Sequence, residues 1–313
     1  MYKDSFLDIK REQFLDFDFL CETICNNTAE MLARSFLEAY DSSLPDTTEV
    51  ILQSIVSVWN YVQEVKNNLD EYRWLYNLLY DDFSKETLLR ILLSRFLVDE
   101  KYLEPVCEPI TYFNWNMLVK KNACVYVDCG AFTGDSVWNF LKYYGDTYAK
   151  IIAYEPTPDS FKDMRSVLSK FFFLHKNIVL KNCGVGEFDE ELNFSCYGGL
   201  NMANRFDGDS NAPEENQTKV PVVSLDSDIL EPVSFIKMDI EGYEMNALKG
   251  AKYHIVNDKP QLAICTYHKV EDLRTIPRLI HSYNQNQRFY LRHHIHFLPN
   301  AAAYEHVFYA DPY

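Results

Sequence analysis

The chain has 313 residues, enough for one large or two modest domains, and its 47% apolar and 24% charged content is typical of a globular protein. A net charge of −16 argues against a nucleic-acid backbone or an anionic membrane as the main partner. The amino terminus lacks an apolar signal region and no run of about 18 apolar residues occurs, so we expect a cytoplasmic protein without nucleic-acid binding or membrane insertion.

Residues 1–115 show helical periodicity. The longest pattern runs from Ile51 to Leu69, where apolar residues recur at alternating spacings of four and three, as on a helix with a narrow apolar seam. Shorter helices are predicted around residues 14–20, 31–37, 74–79 and 88–96, with Asp46 and Ser84 as caps. Because no residue pattern here suggests chemistry, we expect an accessory helical domain. Docking, capping and dimerisation, including a homo-oligomer held by this domain, stay open as its role.

Residues 116–313 alternate between strand and helix patterns, which is typical of a doubly wound, mostly parallel α/β sheet. The main strands are predicted at residues 125–128, 151–154, 178–180, 235–238 and 262–266, and the helices at 136–144, 161–172, 244–251 and 273–283. Residues 288–297 and 306–310 are predicted as a closing antiparallel pair, and 192–197 and 219–223 as edge segments.

In such a sheet, ligands bind outside the carboxyl ends of the strands. This rule brings five polar residues to one rim, namely Asp128, Glu155, Asn182, Asp239 and His268.

The loop at residues 128–135 follows the first strand and precedes a helix. Gly130 and Gly134 let backbone approach a ligand, and the N–H groups of the following helix suit an anion. The loop has a single G-x-x-x-G and lacks G-x-G-x-x-G, which argues against a dinucleotide. S-adenosylmethionine fits better, with Asp128 and Asp135 near its ammonium and aromatic residues near its sulfonium.

Glu155 lies at the tip of the second strand, 25 residues after Gly130. An acid at this position is the usual partner of a ribose diol. The alternative is a solvated loop acid.

Lys237, Asp239 and Glu241 alternate along the end of the fourth main strand and would face one way. A lysine within this apolar run is costly unless it is paired. Either Lys237 and Asp239 simply neutralise each other, or the pair is held at the site to position or activate an acceptor.

His268 ends the fifth strand and could take a hydroxyl proton near neutral pH, or it could be structural. Strand alternation splits His293, His294 and His296 between two faces, and the 8 cysteines include no C-x-x-C pair. No metal site is therefore predicted, and buried reduced thiols are expected. The polar segment 197–217 is expected to cover the acceptor pocket, with plain surface disorder as the alternative.

Several segments resemble the FkbM family of S-adenosylmethionine-dependent methyltransferases. They are Val127 to Asp135, Ala153 to Pro156, Ser224 to Asp226, Phe235 to Ala251, Tyr267 to Lys269 and Tyr290 to His294; the phrase Ile236-Lys237-Met238-Asp239-Ile240-Glu241-Gly242 is the most specific. The resemblance covers roughly residues 120–310 and implies a class I methyltransferase fold with a seven-stranded Rossmann-like sheet. Many members carry a small residue where this chain has Tyr243.

The resemblance further implies O-methylation of a sugar, a glycan component or a small metabolite. The predicted catalytic residues are Lys237, Asp239, Glu241 and His268. The predicted cofactor-binding residues are Asp128, Cys129, Gly130, Ala131, Phe132, Gly134, Asp135, Ser136, Glu155, Pro156, Asn182, Cys183 and Gly184. A nicotinamide-dependent oxidoreductase and a non-catalytic cofactor-binding scaffold are the two alternatives.

Overall fold

A computed structural model describes residues 16–26, 47–97, 99–113, 117–170, 177–195, 217–294 and 305–312, with only the backbone of residues 47–54 and Gln217. The chain divides into two compact units, Met1–Pro109 with Tyr290–His306, and Ile110–Phe289 with Val307–Tyr313. The predicted helix at residues 31–37, the cap at Asp46, the loop at 197–216 and His296 lie outside the described residues.

The first unit is built from helices α1 (Phe17–Asn26), α2 (Thr47–Asn67), α3 (Leu69–Leu78) and α4 (Asp82–Leu97). The long amphipathic helix is confirmed as α2, whose Val58, Val62 and Val65 are buried. Two 3₁₀ turns (Glu100–Tyr102 and Glu104–Val106) lead to strand β1 (Cys107–Glu108), which pairs in parallel with His293 and His294.

The predicted cap at Ser84 is wrong. Helix α4 begins at Asp82, and the Asp81 carboxylate accepts a hydrogen bond from the Ser84 N–H at 2.7 Å. The Ser84 hydroxyl is buried and accepts a hydrogen bond from the N–H of Leu291. The Ser84 hydroxyl therefore bonds to the backbone of Leu291, 207 positions away, and does not cap the helix.

The second unit contains a sheet whose central strands are parallel. The strands of this sheet are β2 (Cys124–Cys129), β3 (Tyr148–Tyr154), β4 (Ile178–Lys181), β8 (Phe235–Met238), β9 (Gln261–Cys265), β10 (Gln287–His294) and β11 (His306–Pro312), in the order β10-β11-β9-β8-β2-β3-β4. Of β10, only residues 287–289 belong to the second unit, and the rest belongs to the first. Strand β2 pairs in parallel with both β3 and β8, and all six of its residues are buried, so it lies at the centre. Chain order reverses beside β2, which makes its carboxyl end the switch point where ligands bind.

The predicted doubly wound α/β fold is confirmed, with two differences in detail. Strand β11 pairs antiparallel with β9, as expected for the closing segment. The strand count is eight and not seven, because the two-residue β1 adds a strand beside β10. A two-residue strand has no periodicity that a sequence pattern could reveal.

A second, three-stranded sheet has the order β5-β7-β6, from β5 (Gly184–Val185), β6 (Glu190–Ser195) and β7 (Gln217–Val223). Strands β6 and β7 are the two predicted edge segments, and they pair antiparallel. Buried Phe194, Val220 and Val222 form its core, against which Leu192 and Tyr243 pack. Tyr243 therefore has a packing role on this small sheet.

The helices of the second unit are α5 (Asp135–Tyr144), α6 (Pro158–Ser169), α7 (Leu225–Asp228), α8 (Glu244–Lys249), α9 (Lys252–Asn257) and α10 (Asp272–Tyr283). The predicted helix at 244–251 ends at Lys249, and α9 follows it. Among the described residues, no helix combines the length and the apolar character needed to cross a membrane.

Candidate active site

The loop after β2 is held in place by its neighbours. Gly130 and Gly134 have φ of +78° and +88°, in the left-handed region that favours glycine. A Cβ atom on Gly130 would lie 1.8 Å from the backbone oxygen of Asp239. Position 130 therefore requires glycine, because any side chain there would clash with the backbone that follows β8. Phe132 also has a positive φ, of +47°.

Asp128 lies below this loop with 0% exposure. Its Oδ2 accepts a hydrogen bond from the Ser136 hydroxyl at 2.6 Å, and its Oδ1 lies 3.2 Å from the ammonium group of Lys237. The carboxylate thus joins three elements, since Ser136 is the second residue of α5 and Lys237 belongs to β8. Cys129 and Ala131 beside it are buried, whereas Asp135 is exposed at the first position of α5.

Glu155 lies at the tip of β3 with 5% exposure. Its carboxylate accepts hydrogen bonds from the N–H of Phe132 at 2.9 Å and of Thr157 at 2.8 Å. Burial raises the pKa of Glu155 even though these N–H groups favour the charged form. The residue thereby fastens the loop after β2 to the end of β3.

Asn182 binds to the same corner. Its amide donates to the backbone oxygens of Glu155 at 2.8 Å and of Pro156 at 3.2 Å. Cys183 and Gly184, which follow, are buried, and burial raises the pKa of the Cys183 thiol to about 11. This second group of predicted residues lies along the ends of β3 and β4.

Lys237 is 2% exposed, as its apolar strand requires. Its ammonium group donates to the Gly130 oxygen at 2.6 Å and lies 5.2 Å from the centre of the Tyr112 ring. Burial opposes its charged form, but the carboxylates of Asp128 and Asp239 outweigh it and raise the pKa of Lys237 above its ordinary value. Its ion-pair partner at 3.2 Å is Asp128, the residue in register with it on the neighbouring strand β2, whereas Asp239 acts on it through its charge.

Asp239 follows β8 directly. Its Oδ2 accepts a hydrogen bond from the Tyr112 hydroxyl at 2.8 Å, and its Oδ1 accepts one from the Tyr267 hydroxyl at 3.0 Å. Burial works to raise its pKa, but the charges of Lys237 and His268 and the two phenol donors hold the pKa of Asp239 below its ordinary value. This carboxylate is fixed in direction and keeps 25% of its side-chain surface exposed.

His268 lies among carboxylates. Its Nδ1 is 2.9 Å from Oε1 of Glu244, and its Nε2 is 3.4 Å from Oδ1 of Asp239 and 3.6 Å from Oε2 of Glu241. Burial alone would lower the pKa of His268, but Glu244 and Asp239 outweigh it and raise the pKa to about 9.

Glu241 lies beyond the end of β8, in a turn where its φ is +55°. It therefore leaves the strand periodicity that was expected to align it with Lys237 and Asp239. Its side chain is 35% exposed, the most open of the carboxylates around His268. Burial raises the pKa of Glu241 to about 7, although the charge of His268 acts against this.

Three contributors, Tyr112, Tyr267 and Glu244, were absent from the predicted site residues. Tyr267, which donates to Asp239, was named only among the residues of the family resemblance. Tyr112 lies 127 positions from Asp239, in a segment without a recognisable pattern, so no local signal could have found it. Glu244 did have a signal, since Asp239, Glu241 and Glu244 place three acids within six residues. Glu244 is buried, and its Oε1 accepts a hydrogen bond from the Ile240 N–H at 2.9 Å.

The predicted site residues thus form two groups. Lys237, Asp239, Glu241 and His268 come together at the ends of β8 and β9, while Glu155, Pro156 and Asn182 lie at the ends of β3 and β4. The loop after β2 contacts both groups, because Gly130 accepts from Lys237 and Phe132 donates to Glu155. In a doubly wound α/β sheet, the switch point at which these acids lie is where a nucleotide or nucleoside ligand binds.

Comparison with known families makes the assignment specific. Residues 128–301 match the model of the methyltransferase FkbM domain, more than half of the chain. The chain belongs to the FkbM family, which depends on S-adenosylmethionine. No curated protein matches the sequence significantly.

Solved structures agree with this fold. The crystal structure of methyltransferase FkbM from Methylobacillus flagellatus KT is 26% identical over 80% of this chain, with a TM-score of 0.67. The chain spans 61% of that protein's length. A putative methyltransferase from Streptococcus mutans in complex with SAH is 13% identical, with a TM-score of 0.37, over 62% of this chain and 91% of its own; similarity at that level adds nothing to the assignment.

Proposed function

We propose that the protein transfers a methyl group from S-adenosylmethionine to a hydroxyl group of a sugar, a glycan component or a small metabolite. The observation that carries this proposal is the group formed by Asp239, Glu241 and His268 beside the loop after β2. It offers oriented carboxylates at the switch point of the sheet, where an acceptor hydroxyl can be held and deprotonated.

The residues at the ends of β2, β3 and β4 fit the cofactor. The loop after β2 leads into the start of α5, where backbone N–H groups can bind an anion. Beside it, the buried Glu155 carboxylate accepts hydrogen bonds from two backbone N–H groups. We assign Glu155 to the ribose diol and the loop residues Gly130 to Ser136 to the amino-acid end. Pro156, Asn182, Cys183 and Gly184 line the adenine side. Asp128 acts through Ser136 and Lys237, which it holds in place.

When bound, S-adenosylmethionine supplies an electrophilic methyl group on sulfur, which the acceptor oxygen takes. The chain's own contribution is mainly positioning, which can be worth ~7 kcal/mol or more. Tyr112 and Tyr267 fix the direction of the Asp239 carboxylate by hydrogen bonds. We assign the hydroxyl proton to Asp239, with Glu241 and Lys237 shaping the charge around it. His268, whose pKa of about 9 keeps its ring protonated near neutral pH, could accept that proton only at higher pH.

The test is a turnover screen of the full chain. Formation of S-adenosylhomocysteine would be measured with S-adenosylmethionine and a panel of sugars, phenols and small alcohols, and a matched panel of amines. We expect product with hydroxyl compounds and none with amines. Turnover with amines alone would overturn O-methylation. Stabilisation by NAD but not by S-adenosylhomocysteine in a thermal-shift comparison would favour an oxidoreductase, and cofactor binding without turnover on any acceptor would favour a scaffold.

A further inference from the structure

Three side chains with metal-ligating atoms meet at the ends of β8 and β9 and the start of α8. One carboxylate oxygen of Asp239, one of Glu244 and a ring nitrogen of His268 all lie within 4.8 Å of one another. Ligand atoms about 2.1 Å from a shared ion stand roughly 3–4 Å apart, so a small inward shift of these side chains would bring them around one cation.

Two of these side chains have buried polar atoms without a hydrogen bond. Within the described chain, Oε2 of Glu244 and both ring nitrogens of His268 are buried and form none. The Glu244 side chain is 1% exposed and that of His268 is 8% exposed. The ring nitrogens of His268 do have ion-pair partners, since carboxylate oxygens of Glu244, Asp239 and Glu241 lie 2.9 to 3.6 Å from them. The atom without such a partner is Oε2 of Glu244. A buried carboxylate oxygen is costly without a partner, and a cation beside Oε2 of Glu244 would provide one. His268 would bind the same cation through a ring nitrogen on releasing its proton.

The surroundings carry an excess of negative charge. Glu241 lies 3.6 Å from His268, and the buried carboxylate of Asp272 acts electrostatically on the same group. The nearby ammonium of Lys237 is already paired with Asp128 and the loop carbonyl of Gly130. A divalent cation would offset charge that the protein's own cations leave in excess.

We propose that Asp239, Glu244 and His268 bind a divalent metal ion, with Glu241 as an additional carboxylate at its open side. A mixed set of carboxylate oxygens and one imidazole nitrogen suits Mn²⁺ or Zn²⁺ better than Ca²⁺, which takes oxygen ligands. Tyr112 and Tyr267 orient Asp239 from behind by hydrogen bonds, as outer-shell partners of metal ligands commonly do.

The role of this metal ion in catalysis rests on the proposed function. A metal ion between Asp239 and His268 would act as a Lewis acid and favour ionisation of a coordinated hydroxyl. The hydroxyl proton would then leave to a neighbouring carboxylate, and the alkoxide oxygen would form the new bond to carbon as the carbon–sulfur bond of the methyl donor breaks. Metal binding itself does not depend on this step.

Metal binding to the full chain tests the proposal directly. The protein would be stripped with EDTA, dialysed, and titrated calorimetrically with MnCl₂, ZnCl₂ and MgCl₂ in separate runs. We expect one Mn²⁺ or Zn²⁺ site per chain. Asp239→Asn, Glu244→Gln and His268→Gln should each weaken binding by about 10-fold or more, as loss of one ligand or of its support does. Asp272→Asn, which removes a neighbouring buried carboxylate outside the ligand set, should stay within about 3-fold.

A spectroscopic measurement covers the case in which a buried variant fails to fold. The unmodified protein loaded with Mn²⁺ should show ¹⁴N modulation from a bound imidazole in pulsed electron paramagnetic resonance. Failure of all three metals to bind at millimolar concentration, absence of ¹⁴N coupling, or equal affinity in folded Glu244→Gln and His268→Gln would each overturn the site.

The outcomes also separate the metal site from the proposed function. Full methyl transfer in EDTA by a protein that binds none of the three ions would remove the metal and leave the function. Metal binding that disappears in the ligand variants, in a protein that methylates no hydroxyl, would leave the site and remove the function.

Discussion

Two regions of the chain place histidines in opposite surroundings. His268 in the second unit lies among carboxylates, which raise its pKa to about 9 in spite of burial. In the first unit, Nδ1 of His293 lies 3.2 Å from Nδ1 of His306, and burial lowers the pKa of His293 to about 4. Burial opposes the charged ring in both regions, so the neighbouring carboxylates decide the difference. The difference is in the sign of the neighbouring charge, because carboxylates surround His268 whereas Arg95 adds to the effect of burial at His293.

The largest effect on turnover is expected when the charge of Asp239, one of the carboxylates around His268, is removed. Asp239→Asn keeps the shape of the side chain and its position beside Tyr112, but removes the charge. Turnover should fall by 10²-fold or more, the typical size of a general-base contribution, while affinity for S-adenosylhomocysteine changes little. Initial rates and calorimetry on the same preparation would measure both. An asparagine variant with near-normal turnover would remove Asp239 from the mechanism.

A loss nearly as large is expected at Glu155, which lies outside the histidine-carboxylate group. Glu155→Ala removes the proposed ribose contact, and cofactor affinity should fall by about 100-fold or more, equal to about 3 kcal/mol. Calorimetry with S-adenosylhomocysteine measures it. The matched control is Asp159→Ala, which removes an exposed acid four residues further on. Since Glu155 also accepts two backbone N–H bonds, the variant's melting curve must show a folded protein; unchanged affinity would contradict the ribose assignment.

The region around His293 and His294, where no carboxylate of the described residues raises the pKa of the rings, contributes a loss of stability in acid. The folded-state pKa values of His293 and His294 are lowered to about 4 and about 3, whereas the unfolded value is about 6.5. Above pH 6.5 the two histidines are mainly unprotonated in both the folded and the unfolded protein. Below pH 6.5 they bind protons first in the unfolded protein. The contribution of these two histidines to stability is thus complete above pH 6.5 and decreases as the pH falls toward 4, by roughly 2 kcal/mol per histidine at pH 5.

Urea unfolding followed by circular dichroism at pH 7.5 and pH 5.0 would measure this loss. His294→Gln, which can keep a hydrogen bond to the Glu108 oxygen, should remove one histidine's share of it. His281→Gln on α10 changes a less buried ring and should leave most of the loss in place. His268 and Glu241, whose pKa values are raised, act in the opposite direction over this range, so the comparison with His294→Gln is the decisive one. An identical change of stability between the two pH values in His294→Gln and the unmodified protein would show that the ring of His294 is protonated in the folded state as well.

The smallest effect on turnover is expected at Tyr112, whose hydroxyl donates a hydrogen bond to Asp239. Tyr112→Phe removes the hydroxyl that donates to Oδ2 at 2.8 Å and keeps the ring beside Lys237. The net worth of such a bond is about 1–2 kcal/mol, so the turnover number should fall by about tenfold or less, with cofactor affinity unchanged. Tyr253→Phe, at a tyrosine that is 61% exposed, is the matched control. A Tyr112→Phe variant with the turnover of the control would show that Tyr267 suffices to orient Asp239.

The sequence predicted what depends on local patterns. The parallel strands were recognisable from apolar runs that end in Asp128, Glu155 and Asp239, and the switch-point rule placed those ends along one rim. Partners brought together only by the sheet were not predictable. Lys237 was recognised as needing a partner, but only the register of β8 against β2 shows that Asp128 is that partner.

The same limit explains the missed elements. Strand β5 has two residues, which is too short for a periodicity of two to appear. Ser84 has the composition of a cap, yet the N–H of Leu291 takes its hydroxyl. Glu241 was expected to follow strand alternation, but its left-handed φ turns it out of the strand. In each case a distant contact or a turn overrides the local preference.

The close approach of Gly130 to the Asp239 carbonyl has a consequence for engineering. The loop proposed to hold the cofactor and the strand end proposed to hold the acceptor touch through backbone, and Lys237 joins them again through the Gly130 oxygen. A new acceptor specificity could not be grafted by exchanging the segment after β8 alone, since its donor protein would bring a backbone path fitted to a different loop. The transferable module is the pair of segments around residues 128–136 and 237–244, moved together.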